Sequence, residues 1–220
     1  NHLLFLHWEC EPADIQPHLP RGLQVDTHEG RAYIGIVPFY MQRIRPAYLP
    51  PVPWLSWFLE LNVRTYVHDD HGRPGVYFFS LDCNQPVAVR LARRFFYLPY
   101  FHATMKANRR DHHIRYTCQR EGSADTSSFE WTDEGPVHLP EPGSLEFFLV
   151  ERYLLFTARP DGRLIRGQVH HAPYRIGPAE VSQFSKLPAE QAGITLSDAM
   201  LPPLRAEAVD VSVFAVETND

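Results

Sequence analysis

The stretch from Ser80 to Lys106, SLDCNQPVAVRLARRFFYLPYFHATMK, decides how this chain is read. It contains a buried strand end, a short capped helix, a proline stop and the start of a second strand. Asp82 or Asn84 offers a side-chain oxygen to the free N–H groups of the first helical turn. Pro86 sits where its missing N–H costs nothing. Val87, Leu91 and Phe95 share one helical face, flanked by Ala88, Ala92 and Phe96, and are expected to pack on the sheet. Arg90, Arg93, Arg94 and Tyr97 recur at helical spacing on the other face, as a solvated surface or an anion-facing wall. Pro99 ends the helix, because the residue before a proline avoids the αR region.

Outward from this stretch the chain reads mostly as strands. Leu59 to Val67 (LELNVRTYV) alternates: Leu59, Leu61, Val63, Thr65 and Val67 on one face, Glu60, Asn62, Arg64 and Tyr66 on the other. HDDHGRPG from His68 to Gly75 is a hairpin turn, and VYFFSL from Val76 to Leu81 is apolar on both faces, as in a central strand. Towards the N-terminus, His2 to Trp8, Leu23 to Asp26 and Ala32 to Phe39 are strands, with a helical turn from Pro12 to Pro17. Further on, Ile114 to Arg120 alternates, Ser144 caps a short helix from Leu145 to Val150, and Tyr153 to Ala158 with Leu164 to His170 forms a second hairpin. A short helix over Ala179 to Lys186 and a closing strand over Val209 to Val216 complete the expectation. The proline-aromatic segment from Met41 to Trp57 reads as an ordered irregular loop, serving as a lid or a partner-binding patch.

The chain has 220 residues, suited to one domain over 1–220, and 44% hydrophobic with 21% charged residues is ordinary globular composition. A net charge of −5 gives no basic footprint for nucleic acid. No apolar run reaches the ~18 residues of a membrane span. Cys10, Cys83 and Cys118 are odd in number and form no C-x-x-C pair, so neither a disulfide framework nor a structural zinc is expected, and the cytoplasm is the default location. No signal pattern opens the chain; it starts at Asn1 without a Met, which leaves room for a preceding segment. A homo-oligomer is compatible with this composition.

Three constellations carry possible chemistry. The face Glu60/Asn62/Arg64/Tyr66 sets a carboxylate and a guanidinium into a cavity if the sheet closes, or is the solvated side of an antiparallel strand. Among the histidines, His102, His112, His113, His170 and His171 lie near strand ends without any zinc spacing. Adjacent histidines on a strand point to opposite faces, so packing or hydrogen bonding is expected and metal binding is not. Nucleophiles are scarce: there is no G-x-S-x-G elbow, the thiols sit in apolar contexts, and Lys106 and Lys186 are the only lysines.

HLPRGLQVDTHEGRAYIGIVPF, ELNVRTYV, GVYFFSLD, RRFFYLPYFHATM, ERYLLFT and GQVHHAPY, in that order over nearly the whole chain, closely resemble the YqjF-like family of bacterial proteins of unknown function. That resemblance implies the acetoacetate-decarboxylase-like fold: mainly β (α+β), a cone-shaped antiparallel β-barrel with a few short helices and an internal cavity. Followed residue by residue, the decarboxylase's active-site glutamate falls on Glu60. Its D-N-E-P stretch falls on Asp82-Cys83-Asn84-Gln85-Pro86, and its proline with two lysines on Pro99-Tyr100-Phe101. Its second glutamate falls near Gly35 and its arginine near Asn1. In that enzyme the first lysine is the Schiff-base amine, activated by the second. Aromatic side chains form no imine, so the resemblance implies loss of that decarboxylation. What it leaves is a small organic, carboxylate-type ligand in the barrel cavity, near Glu60, Asn62, Arg64, Tyr66, Tyr100 and His102, with no cofactor or metal. The alternatives are a lyase, hydratase or isomerase using Glu60 as general acid or base, and a structural or protein-interaction module working through Tyr48 to Trp57.

Overall fold

A computed structural model describes residues 2–42, 57–207, 211–213 and 217–218. The elements in chain order are β1 (Leu3–Cys10), α1 (Pro12–Ile15), β2 (Leu23–Val25), β3 (Ala32–Gln42), β4 (Trp57–Asp69), β5 (Pro74–Cys83) and α2 (Pro86–Leu91). There follow β6 (Tyr100–Arg110), β7 (His113–Arg120), β8 (Ser127–Asp133), α3 (Leu145–Val150), β9 (Leu154–Ala158) and β10 (Leu164–His171). The chain continues through β11 (Ile176–Gln183), α4 (Leu187–Gln191), β12 (Leu204–Ala206), β13 (Val211–Val213) and β14 (Glu217–Thr218). All but residues 43–56 of the expected Met41–Trp57 loop, and the ends of the expected closing strand, can be placed; those two parts lie outside the described residues.

Nine strands close into a ring in the order β5-β6-β7-β8-β11-β12-β1-β3-β4 and back to β5. Most pairs are antiparallel; β5 runs parallel to β6 and to β9. The closure depends on β5, which holds β4 along one edge and divides its other edge between two partners. Leu81–Cys83 pairs with β6, and Val76–Tyr77 pairs with β9, from which β10, β13 and β14 extend. Gly75 makes this division possible: a Cβ there would stand 2.6 Å from the Leu154 carbonyl oxygen and 2.7 Å from the Phe156 ring. Opposite Val63 and Arg64 the register of β5 shifts by one residue, passing over Phe79. This bulge sends Phe78 to one face and Phe79 to the other.

Period-two alternation then builds two cores back to back. Leu4, Leu6, Trp8, Ile34, Ile36, Leu61 and Val63 face Met105, Ile114, Tyr116, Phe129 and Trp131 across the ring and fill its interior. The intervening residues of β1, β3 and β4, among them Phe5, Val37, Phe39 and Tyr66, point away from the ring into a second core. Leu149 and Val150 of α3, Leu155 of β9 and Ile176 of β11 complete it. Burying both faces of β4 is why this strand carries so few exposed residues.

Several local expectations change. Gln85, not Asp82 or Asn84, caps α2, its side chain accepting from the Val87 N–H at 3.1 Å. Asn84 instead accepts from the Leu59 N–H, and Asp82 turns into the ring. Only Val89 of α2 is buried; Leu91 and Phe95 are 41% and 60% exposed. The helix widens into a π turn at Ala92–Phe96, which takes Phe95 off the 3.6-residue phase of the expected apolar face; Leu91 is exposed within α2 itself. Residues 179–183 are strand, not helix, because β8 pairs along them, continuing a strand whose residues 176–178 are paired with β12. The helix starts at Leu187, with Pro188 in its first turn. The Ser144 cap and the hairpin of β9 with β10 are as expected.

Candidate functional site

The polar face of β4 is not a solvated strand face. Glu60 and Asn62 are 3% and 4% exposed, Tyr66 is fully buried, and Arg64 is half-buried. Nor does it line the interior of the closed ring, where the sequence reading set its cavity: Leu61 and Val63 take the inward positions, so the residues between them enter the second core. There they form two polar clusters along one strand.

The first cluster is a carboxyl with a phenol. Tyr100, at the start of β6, donates to Glu60 Oε2 at 2.8 Å. Phe58, Cys83 and Val89 supply the apolar surroundings, with Phe39 and Cys83 beside Glu60 in register. Burial pushes the Glu60 pKa up to about 7; the Tyr100 hydrogen bond opposes this and the nearby Asp82 charge adds to it. Among the described residues no arginine bonds Glu60. Asp82 lies on the ring side of β5, where Arg120 grips it with two hydrogen bonds of 2.7 and 2.9 Å. Phe101, beside Asp82 in register, lies under the Arg120 guanidinium at 4.1 Å. Two neighbouring carboxyls thus sit in different environments, one bonded by a phenol and one gripped by an arginine.

The second cluster surrounds Arg64. Its Nη2 donates to the Leu149 carbonyl at 3.0 Å and to the Tyr66 hydroxyl at 3.3 Å, and its guanidinium lies over Phe5. Leu149 closes α3, so the arginine meets the negative end of a short helix rather than a carboxylate. Among the described residues its buried Nε has no hydrogen-bond partner, and neither does Oδ1 of Asn62. The other guanidinium beside Tyr66, that of Arg152, has its own carboxylate, Asp26, at 2.7 Å.

His7 completes this cluster from β1. Its Nε2 lies 2.7 Å from the Tyr66 hydroxyl, whose single proton goes to the Leu149 carbonyl at 2.7 Å. His7 is therefore the donor, with its proton on Nε2. Burial, then the Arg64 charge, hold its pKa well below the ordinary range, so the ring is neutral. Gly35 stands between His7 and Arg64 in the register of β1, β3 and β4. A Cβ there would stand 3.1 Å from His7 Nε2, so the glycine lets the imidazole lie across β3 towards Arg64.

Glu60 and Tyr100 meet; Asn62, Arg64 and Tyr66 continue along the same face. His102 turns aside towards Glu121, its Nδ1 3.5 Å from that carboxylate at the surface. His113 bonds Glu130, and of the adjacent pair His170 is exposed while His171 is buried. Both lysines lie elsewhere, Lys106 exposed on β6 and Lys186 bonded to Asp198. Among the described residues no group of three His, Cys, Asp or Glu side chains is arranged to hold a metal. Burial pushes the Cys83 thiol up to about 12, which leaves it protonated. Sequence reasoning missed His7, Asp82 and Arg120. His7 alternates inward with Leu3 and Phe5, which was the signal available for it.

Comparison with known proteins agrees with this architecture. A family profile, DUF2071, described as an uncharacterized conserved protein, matches residues 1–212. The uncharacterized protein YqjF of Bacillus subtilis (strain 168) is 36% identical over 201 residues, 90% of this chain and 81% of that protein. Among solved structures, the enduracididine biosynthesis enzyme MppR with HEPES buffer bound superposes with a TM-score of 0.69 at 12% identity, over 100% of this chain and 85% of that one. Acetoacetate decarboxylase from Legionella pneumophila gives 0.66 at 12% identity, over 100% and 84%. MppR complexed with pyruvate gives 0.68 at 12% identity, over 99% and 87%. At such identities the solved structures show a shared fold, the acetoacetate-decarboxylase-like barrel. The profile match and the Bacillus relative together show that this chain belongs to the DUF2071 family of uncharacterized conserved proteins.

Proposed function

We propose that this protein binds a small organic carboxylate in the second core, beside β4, without lysine Schiff-base chemistry. One observation carries the reading: Arg64, lodged among Phe5, Tyr66 and His7, has no carboxylate partner among the described residues and keeps a buried Nε unpaired there, as is the amide oxygen of Asn62 two residues before it on the same strand face. Buried polar groups are nearly always hydrogen-bonded, so an arginine donor left over in an aromatic surround suits an anionic ligand, while the Asn62 oxygen would accept from a ligand hydroxyl. A guanidinium fits a carboxylate well. Both lysines stand away from Tyr100, which fills the position of the decarboxylase amine. That the similar MppR fold has been solved with pyruvate gives the choice of probes.

A second reading, an enzyme of the lyase, hydratase or isomerase type, is favoured by the Glu60–Tyr100 pair. A carboxyl that titrates near neutrality gives and takes protons at physiological pH, which is what a general acid or base needs. A location in the bacterial cytoplasm accords with the free cysteines, and no described helix is long and apolar enough to cross a membrane.

Isothermal titration with pyruvate, acetoacetate and lactate tests the first reading. Arg64→Met is expected to weaken binding about 10- to 150-fold, the value of a charge-assisted hydrogen bond. Borohydride added with each acid should leave the protein mass unchanged. Cooperative thermal unfolding checks that Arg64→Met still folds, since Arg64 also bonds α3. Equal affinity in the folded variant, no binding of any acid, or a reduced lysine adduct would each refute the reading.

A further inference from the structure

The motif Gly167 to Tyr174, GQVHHAPY, has so far no part in the site. Its last residue reaches the second core: the Tyr174 ring stands edge-on to Phe5 at 5.9 Å, and Phe5 is the ring beneath Arg64. The residue keeps some exposure, yet its phenol is buried deeply enough to push its pKa up to about 12, with Arg64 close enough to oppose the shift. The phenol thus stays protonated at any physiological pH. Among the described residues its hydroxyl has no hydrogen-bond partner and keeps some contact with solvent, while its backbone N–H is bonded to Glu151.

Other side chains hold that ring in place. Glu151, just past α3, accepts the Tyr174 N–H on Oε1 at 2.7 Å and the Tyr153 hydroxyl on Oε2. His171 lies between the two tyrosines, stacked on Tyr153 at 4.6 Å and against Tyr174 at 4.4 Å. Its Nδ1 donates to the Ala172 carbonyl at 2.8 Å, which fixes the ring's orientation. A carboxylate, an imidazole and a second phenol therefore orient a tyrosine whose hydroxyl has no partner among the described residues.

We propose that Tyr174 is a second ligand-binding residue, donating its hydroxyl proton to an oxygen next to the carboxylate that Arg64 holds. The inference rests on the carboxylate reading and narrows it. The preferred ligand is a carboxylic acid with a hydrogen-bond acceptor beside its acid group, such as an oxo acid, over the plain acid of the same size. Glu151 and His171 are positioning residues for that hydroxyl, and Arg64 supplies charge while Tyr174 supplies selectivity.

The test is titration of wild type, Tyr174→Phe and Arg64→Met with pyruvate and with propionate. The phenylalanine keeps the ring and its packing and removes only the hydroxyl. The proposal expects wild type to prefer pyruvate, and Tyr174→Phe to lose about 3- to 10-fold for pyruvate with propionate unchanged. Equal loss for both acids would mean a packing effect, and no loss for either would mean an idle hydroxyl; both results overturn it. Should Arg64→Met abolish binding while Tyr174→Phe changes nothing, the carboxylate reading stands and this one falls. Should wild type bind neither acid, both fall.

Discussion

Replacing Glu60 by glutamine should remove a specific pH dependence of stability. In the folded protein this carboxyl titrates near 7, against about 4.5 for an unburdened glutamate, chiefly because burial strips its water. Between those values the native state holds a proton that the unfolded chain has released. Stability therefore falls as pH rises through this window: the contribution of Glu60 is fully present below about pH 4.5 and lost as pH passes 7. A shift of this size corresponds to about 3 kcal/mol. Glutamine keeps the volume and an acceptor for the Tyr100 hydroxyl but cannot ionise. Urea unfolding of wild type and Glu60→Gln, from about pH 4 to about pH 9, isolates the effect, since every other titrating group is common to both. The two should match at the acid end, and the variant should be more stable by up to ~3 kcal/mol at the alkaline end. Parallel stability curves would refute the assignment of a buried, partner-poor carboxyl at Glu60. A variant that loses stability with rising pH as steeply as wild type would move the titrating group elsewhere.

Two further perturbations test the frame around the site. Arg120→Met leaves the Asp82 carboxylate buried in the ring without its two hydrogen bonds. It should cost about 3–5 kcal/mol by denaturant unfolding, with much of this recovered in Asp82→Leu/Arg120→Met. Gly75→Ala drives a methyl into the Leu154 carbonyl and the Phe156 ring, so β5 and β9 must part. A loss of about 1–3 kcal/mol is expected, with faster amide exchange along β9, and an unchanged melting temperature would show that the pairing has slack.

The strands of this protein were legible because their alternation is clean. Leu59 to Val67, Ile114 to Arg120 and the hairpin of β9 with β10 stand where the sequence shows them. The failures share a cause. Residues 179–183 look helical in isolation and become strand because β8 pairs along the segment, next to residues 176–178 that β12 already holds extended. Phe95 sits at helical spacing from Val87, but a π turn over Ala92–Phe96 rotates the chain beneath it and leaves it exposed, while Leu91 is exposed already at the end of α2. Asp82 has the chemistry of a helix cap, and a partner from a distant strand, Arg120, takes it instead.

The site divides in the same way. Sequence alone determined that Glu60, Asn62, Arg64 and Tyr66 share one face of a strand, since side chains alternate along an extended backbone whatever surrounds it. It also determined that the residues after Pro99 are aromatic and that the chain has two lysines. Only the tertiary structure decided which side of β4 faces the closed ring. Glu60 meets Tyr100 rather than Arg64, and Tyr174 comes to Phe5 from the far end of the chain. The reason is physical: alternation says which residues lie together on a face, but a partner's identity depends on pairings between strands far apart in sequence. In this chain those pairings run through β5, whose edge is shared by β6 and β9.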